Sequence, residues 1–199
     1  MKKQLQVVVA LLCATTVSPG QQTPPSPLVR AFGDNKFWIV AEEMSYVIGS
    51  TKERIVVPKG FVTDFASIPQ ALWSIGLSPY GQYSRAAIIH DYLYWSRGCT
   101  RAQADRLLLI AMKESNVGRF DEFAVYKGVD KGGNSAWNAN AIERKAGLPR
   151  IVPENYLRPA DSNIKWPAYR KILVKQGIQD PKFEQNPTYC AYGNTTVVP

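Results

Sequence analysis

Residues 84–112 read SRAAIIHDYLYWSRGCTRAQADRLLLIAM and hold the single histidine of the chain, His90, followed at once by Asp91. The stretch predicts two helices joined by a tight turn. Gly98 is placed to stop the first, because glycine accepts the left-handed conformation that ends helices. Thr100 is placed to cap the second, with Gln103 three residues on, the spacing of a capping box. In the first helix Tyr83, Ala87, His90 and Tyr94 share a face at spacings of three and four; in the second Ala102, Asp105, Leu109 and Met112 do so. A turn this short predicts an antiparallel hairpin. His90 then faces the partner helix, where Asp105 is the carboxylate of matching phase. A histidine oriented by a carboxylate is the arrangement of a general base.

Asp91 is turned about 100° from His90 by the helical repeat and points to the edge of the same site. A hard oxygen donor there suits a divalent cation. The structural alternative is a polar network in which His90, Asp91 and Asp105 fix the hairpin and do no chemistry.

Outward toward the N-terminus, 37–41, 45–48 and 54–57 are short, rich in β-branched and aromatic residues, and separated by turn signals. They predict a small antiparallel meander, which the run Val57-Pro-Lys-Gly60 ends. In the following stretch, Ser67 is set to cap a short helix with Gln70 at the capping-box position. Asp64 stands between apolar Val62 and Phe65. A carboxylate in such company either caps a turn or belongs to a site. The loop from Gly76 to Gly81 leads into the His90 helix and could turn carbonyls toward Asp91.

Outward toward the C-terminus, 119–129 predict a third helix with Phe120, Phe123, Ala124 and Tyr126 or Lys127 inside. Gly132-Gly133 predicts a break, and Asn134 or Ser135 the cap of a further helix through Ala146, ended by Gly147 and Pro149. Residues 148–164 carry three prolines and read as an extended connection; 167–177 predict a last helix, and the tail after Gln179 reads as loop. The expected fold class is α+β: a small N-terminal antiparallel β meander packed on a mostly helical body around a central helix hairpin. Four segments are expected: a signal peptide over 1–20, a flexible leader over 21–30, a core domain over 31–147 and a C-terminal extension over 148–199.

The signal peptide is read from Lys2 and Lys3 ahead of a short apolar run, Val7–Ala14, and small residues through Gly20. Its removal lowers the formal charge from +8 to +6. A basic exported chain points to an anionic membrane surface or an acidic cell-envelope polymer as partner. No run of five basic residues is present, and no specific nucleic-acid partner is expected. Cys99 and Cys190 survive processing, and an oxidising compartment favours their pairing. The sequence has no zinc-type Cys/His cluster, no G-x-S-x-G elbow and no phosphate loop.

VPKGFVTDFASIP (57–69), then SRAAIIHDYLY, RAQADRLLLIAM and Gly132-Gly-Asn-Ser-Ala-Trp137 come in an order that resembles the family catalogued as domain of unknown function 1353, of bacteria and phages. That resemblance implies no activity. Residues 84–112 also resemble, more distantly, the His-Asp helix hairpin of secreted phospholipase A2. That resemblance implies a general base at His90, oriented by Asp105 and Tyr94. It also implies calcium at Asp91, with the loop carbonyls around Gly76 and Gly81 as further candidates; Asp64, which the resemblance leaves unexplained, is a candidate second ligand or orienting group. The expected function is therefore an exported, metal-assisted hydrolase, most concretely a calcium-dependent phospholipid esterase. The alternative is a non-catalytic exported or phage-derived module that binds the cell envelope.

Overall fold

The computed structural model describes residues 26–65 and 83–199. The signal segment, the Ser67-capped helix, Gly76 and Gly81 lie outside the described residues.

The fold is α+β. Five short strands come first: β1 (Val29–Ala31), β2 (Trp38–Val40), β3 (Met44–Val47), β4 (Arg54–Val57) and β5 (Val62–Thr63). All pair antiparallel, but in two sheets. β3 and β4 form a hairpin whose inner face is built from the cross-strand pairs Met44–Val57 and Tyr46–Ile55. Alternation sets that register, since a one-residue slip would expose all four side chains. The other sheet has the order β1-β2-β5. β1 begins within the stretch read as a leader, and β5 lies just past Val57–Gly60, the run read as the end of the meander. Gly60 makes the return to β5 possible: its φ is +86°, and its Cα lies against the Val152 carbonyl with no room for a side chain.

The hairpin forms as the pattern predicts. α1 spans Ser84–Ser96 and α2 Arg101–Glu114. Thr100 and Gln103 make the full capping box, each side chain bonding the other's backbone. The stop signal differs from expectation. Arg97, not Gly98, takes the left-handed cap, at φ 54°. Gly98 serves instead as the place where the C-terminal tail crosses, against the Glu184 carbonyl and Pro187. α1 is buried almost all round, as a central helix must be.

After α2 a single helix, α3, runs from Arg119 to Lys145, through the glycine pair that predicted a break. Each glycine inside a helix costs about 1 kcal/mol relative to alanine. Tertiary contacts offset that cost. Arg97 donates to the Trp137 carbonyl at 2.7 Å and stacks 4.0 Å over its ring, and Arg144 donates to the Ser96 carbonyl at 2.8 Å. The side expected inside is also corrected. Phe120 and Phe123 are 71% and 63% exposed, whereas Val125 and Gly133 are buried.

The C-terminal segment wraps this body. Ile151 bridges Phe61, and α4 (Trp166–Lys175) packs Trp166, Tyr169 and Leu173 against Phe32, Ile39 and Val62 in a second apolar cluster. Asp180 holds the crossing: it accepts from the Trp95 indole and from the backbone N–H of Arg150 and Ile151. The tail, read as loop, contains a 3₁₀ helix at Thr188–Asn194 that lies on α2. Cys190 in that helix bonds Cys99, with Cα atoms 5.3 Å apart.

Candidate active site

α1 and α2 bring His90 and Asp105 together. His90 Nε2 lies 3.0 Å from Asp105 Oδ1, and both side chains are buried. Tyr94, one turn beyond His90, donates to the same oxygen at 2.5 Å, and its ring packs 4.0 Å from the imidazole. Arg101, one turn before Asp105 on α2, donates to Oδ2 at 3.0 Å. A carboxylate holding a guanidinium and a phenol is an acceptor only. The neutral imidazole therefore donates from Nε2, which leaves the lone pair on Nδ1. Among the described residues no group bonds Nδ1. Burial and the Asp105 carboxylate push the Tyr94 hydroxyl well above its ordinary pKa, so it remains a donor.

Asp91 turns the other way. Its Oδ2 accepts from Thr63 Oγ at 2.5 Å and from the Asp64 backbone N–H at 3.1 Å. Thr63 Oγ in turn accepts from the Phe65 N–H at 3.0 Å. Thr63 therefore takes the turn-capping role that the sequence offered to Asp64. Phe65 sits at φ 55°, a conformation costly for a bulky residue. Its edge-on contact with Trp38, 5.0 Å between centroids, helps to hold it there.

Asp64 faces Arg150, whose Nη2 lies 3.3 Å from Oδ1. Arg150 is buried. It also donates to the Val62 carbonyl at 2.8 Å and the Asn140 side chain at 3.2 Å. Nothing near Arg150 in the sequence signals this role, because its partner stands 86 residues away.

These groups surround one cavity of about 620 Å³, lined by His90, Asp91, Asp64, Tyr83, Tyr94 and Arg150 and closed on one side by α3. Asp105 does not line it and supports His90 from behind. The α3 wall is made of small residues, among them Ala124, Gly128, Gly132, Ala136 and Ala139. Gly133 has a separate duty. A methyl group there would overlap Tyr94 Oη, so only glycine lets α3 lie this close to the Tyr94–Asp105 contact. The Gly-Gly pair read as a helix break is in part the seat of a site residue.

The run from Thr63 and Asp64 through His90, Asp91 and Tyr94 to Asp105 forms one connected site, and it lies inside a segment that other proteins share. Residues 38–129 match the family described as Protein of unknown function (DUF1353). The matched segment holds the dyad, Asp91 and its strand anchor, whereas Gly133, Arg150 and Cys190 lie beyond it. An uncharacterized protein y4jT of Sinorhizobium fredii (strain NBRC 101917 / NGR234) is 37% identical over 71 residues. That match covers 35% of this chain and 21% of the relative, so the two share only a part of each. No solved structure gives a significant match.

Proposed function

We propose that this protein is an exported hydrolase of acyl esters, most concretely a phospholipid esterase, with His90 as the base that activates water. One observation carries the reading: the only histidine stands in the wall of a cavity with a carboxylate bonded behind it. In the reaction, Nδ1 of His90 takes a proton from water as the water oxygen bonds to the ester carbonyl carbon. The tetrahedral intermediate collapses by breaking the ester C–O bond. The proton on His90 passes to the departing alkoxide, giving an acid and an alcohol. Asp105 holds the ring in the required tautomer and stabilises the imidazolium, and Tyr94 and Arg101 hold Asp105.

The phospholipase resemblance adds calcium at Asp91. Asp64 is paired with Arg150, and Asp91 already accepts two hydrogen bonds. Among the described residues no group of three metal-ligating side chains comes together. Calcium takes six to eight oxygens, so the described donors do not complete a shell. Water and substrate oxygens can supply further ligands, and the resemblance suggests loop carbonyls around Gly76 and Gly81 as others. A bound ion would polarise the ester carbonyl; no step above depends on it.

An anionic membrane surface suits this reading. Phe120 and Phe123 project from the first turns of α3, the helix that walls the cavity, close in sequence to Arg119 and Lys127. Among the described residues no helix is long and apolar enough to cross a membrane. The Cys99–Cys190 bridge supports an oxidising compartment.

A second reading has one observation in its favour. Asp105 is saturated by three donors and only 6% exposed at its side chain, as a structural polar network would be. The module would then bind cell-envelope polymer without turnover. Fatty-acid release from phosphatidylglycerol vesicles, with calcium and with chelator, separates the two readings. The hydrolase reading expects release that His90→Ala lowers by about 10²–10⁴-fold with the melting temperature nearly unchanged. No release by the wild type in either condition, with a melting temperature that drops in His90→Ala, supports the network.

A further inference from the structure

Tyr83 stands at the mouth of α1, two turns before His90 on the same face. It is 1% exposed, lines the cavity, and among the described residues its hydroxyl has no hydrogen-bond partner. A buried donor without an acceptor is uncommon in a folded protein, and a bound ligand is one of the things that satisfies it. The opposite wall is the small-residue face of α3, where Gly128, Gly132 and Ala136 leave a smooth apolar surface.

We infer that Tyr83 is the substrate-binding residue that donates to the carbonyl oxygen of an unbranched acyl chain lying along α3. The proposal rests on the hydrolase reading and fixes how the substrate lies in that site. A carbonyl is preferred to a free anion because, among the described residues, the acids and cations lining the cavity are Asp64 and Asp91 against Arg150, and Arg150 is already paired with Asp64. Burial, with Asp91 and Asp64 nearby, raises the Tyr83 pKa well above its ordinary value. The phenol therefore stays protonated and remains a donor as charge develops on the carbonyl oxygen. The same helix then presents the donor and the base.

The test uses 2-dodecanone, a chain with an uncleavable carbonyl, against dodecane, which lacks it. Each is titrated into the full protein, and affinity is read from the ligand-induced rise in melting temperature. The wild type should bind the ketone about tenfold more tightly than the alkane, as one added hydrogen bond predicts. Tyr83→Phe should erase that difference and leave the melting temperature without ligand unchanged or higher, since it removes an unsatisfied hydroxyl. Equal binding of ketone and alkane by the wild type, or binding of neither, overturns the proposal. So does a Tyr83→Phe variant that melts lower without ligand, because the hydroxyl would then have a structural partner. Fatty-acid release is scored separately. Release that needs His90 but ignores Tyr83→Phe defeats this inference and spares the hydrolase reading. A Tyr83-dependent ketone preference with no release does the reverse.

Discussion

The two carboxylates nearest His90 are held by different kinds of neighbour. Asp105 is gripped within the helical body, by His90 and Tyr94 from α1 and by Arg101 from its own helix. Asp91 is gripped by a strand end, through the Thr63 hydroxyl and the Asp64 N–H. The first set contains an imidazole, a phenol and a guanidinium that would be stranded without their acceptor. The second includes a hydroxyl and an amide, which any good acceptor satisfies. The two carboxylates, one on each helix of the hairpin, thus carry different loads: Asp105 on α2 binds the hairpin together and orients the base, while Asp91 on α1 fastens the hairpin to the sheet at the cavity edge.

The largest effect should come from removing the helical acceptor. Asp105→Ala leaves the buried His90 and Tyr94 donors and the partly exposed Arg101 guanidinium unpaired, and should cost about 3–5 kcal/mol in chemical denaturation. Asp91→Asn keeps an oxygen for Thr63 and Asp64 and should cost no more than about 1 kcal/mol. Similar losses for the two variants would break the comparison.

Next comes the strap that ties the tail to this half. Cys99 and Cys190 are 91 residues apart. Cys190→Ser should lower stability by about 2–4 kcal/mol, within the range of chain-closure effects. Reduction of the wild type should reproduce the loss, and a reduced protein as stable as the oxidised one would contradict it.

A smaller effect is expected at Gly133. Alanine would gain about 1 kcal/mol of helix propensity but would collide with Tyr94 Oη. Because Tyr94 is fixed on Asp105, the collision should win, with a net loss of about 1–2 kcal/mol. Adding Tyr94→Phe removes the colliding oxygen, so the double variant should lose less than the two single losses added together. Simple additivity would show that α3 and Tyr94 are not in register.

The mildest effect is confined to alkaline pH. Tyr83 and Tyr94 both have raised pKa values, from burial first and then from carboxylates, Asp91 and Asp64 for Tyr83 and Asp105 for Tyr94. Above the ordinary tyrosine value of about 10 the unfolded chain loses these protons while the folded chain keeps them. Stability should therefore decline as pH rises past that point. Tyr83→Phe and Tyr94→Phe should each flatten the decline in urea melts between pH 9 and 11. An unchanged slope in both would mean that neither phenol is held neutral by the fold.

The helical half was legible because its information is local. Spacings of three and four residues and a capping box fix the faces of α1 and α2, so the facing of His90 and Asp105 follows from the turn length. The strand half was not. Thr63 meets Asp91 across 28 residues and Asp64 meets Arg150 across 86, and no periodicity spans such gaps. α3 misled for a related reason. Its glycines read as a break because their cost is local, whereas the contacts that offset it, with Arg97 and the Ser96 carbonyl, come from elsewhere. Phe120 and Phe123 were expected inside on composition alone, and the burial of Val125 with Gly133 shows that the apolar stripe of α3 is narrower than its apolar content.

The central claim is that Asp105 fixes His90 with its proton on Nε2 and its lone pair on Nδ1, available to water. Because His90 is the only histidine, ¹⁵N NMR of histidine-labelled protein reads that ring without assignment. The account predicts that the neutral imidazole is the Nε2–H tautomer in the wild type and that Asp105→Asn, if folded, loses this bias. A neutral ring protonated on Nδ1 would contradict it, since Nε2 would then be spent on a contact with Asp105 and no base would remain for water.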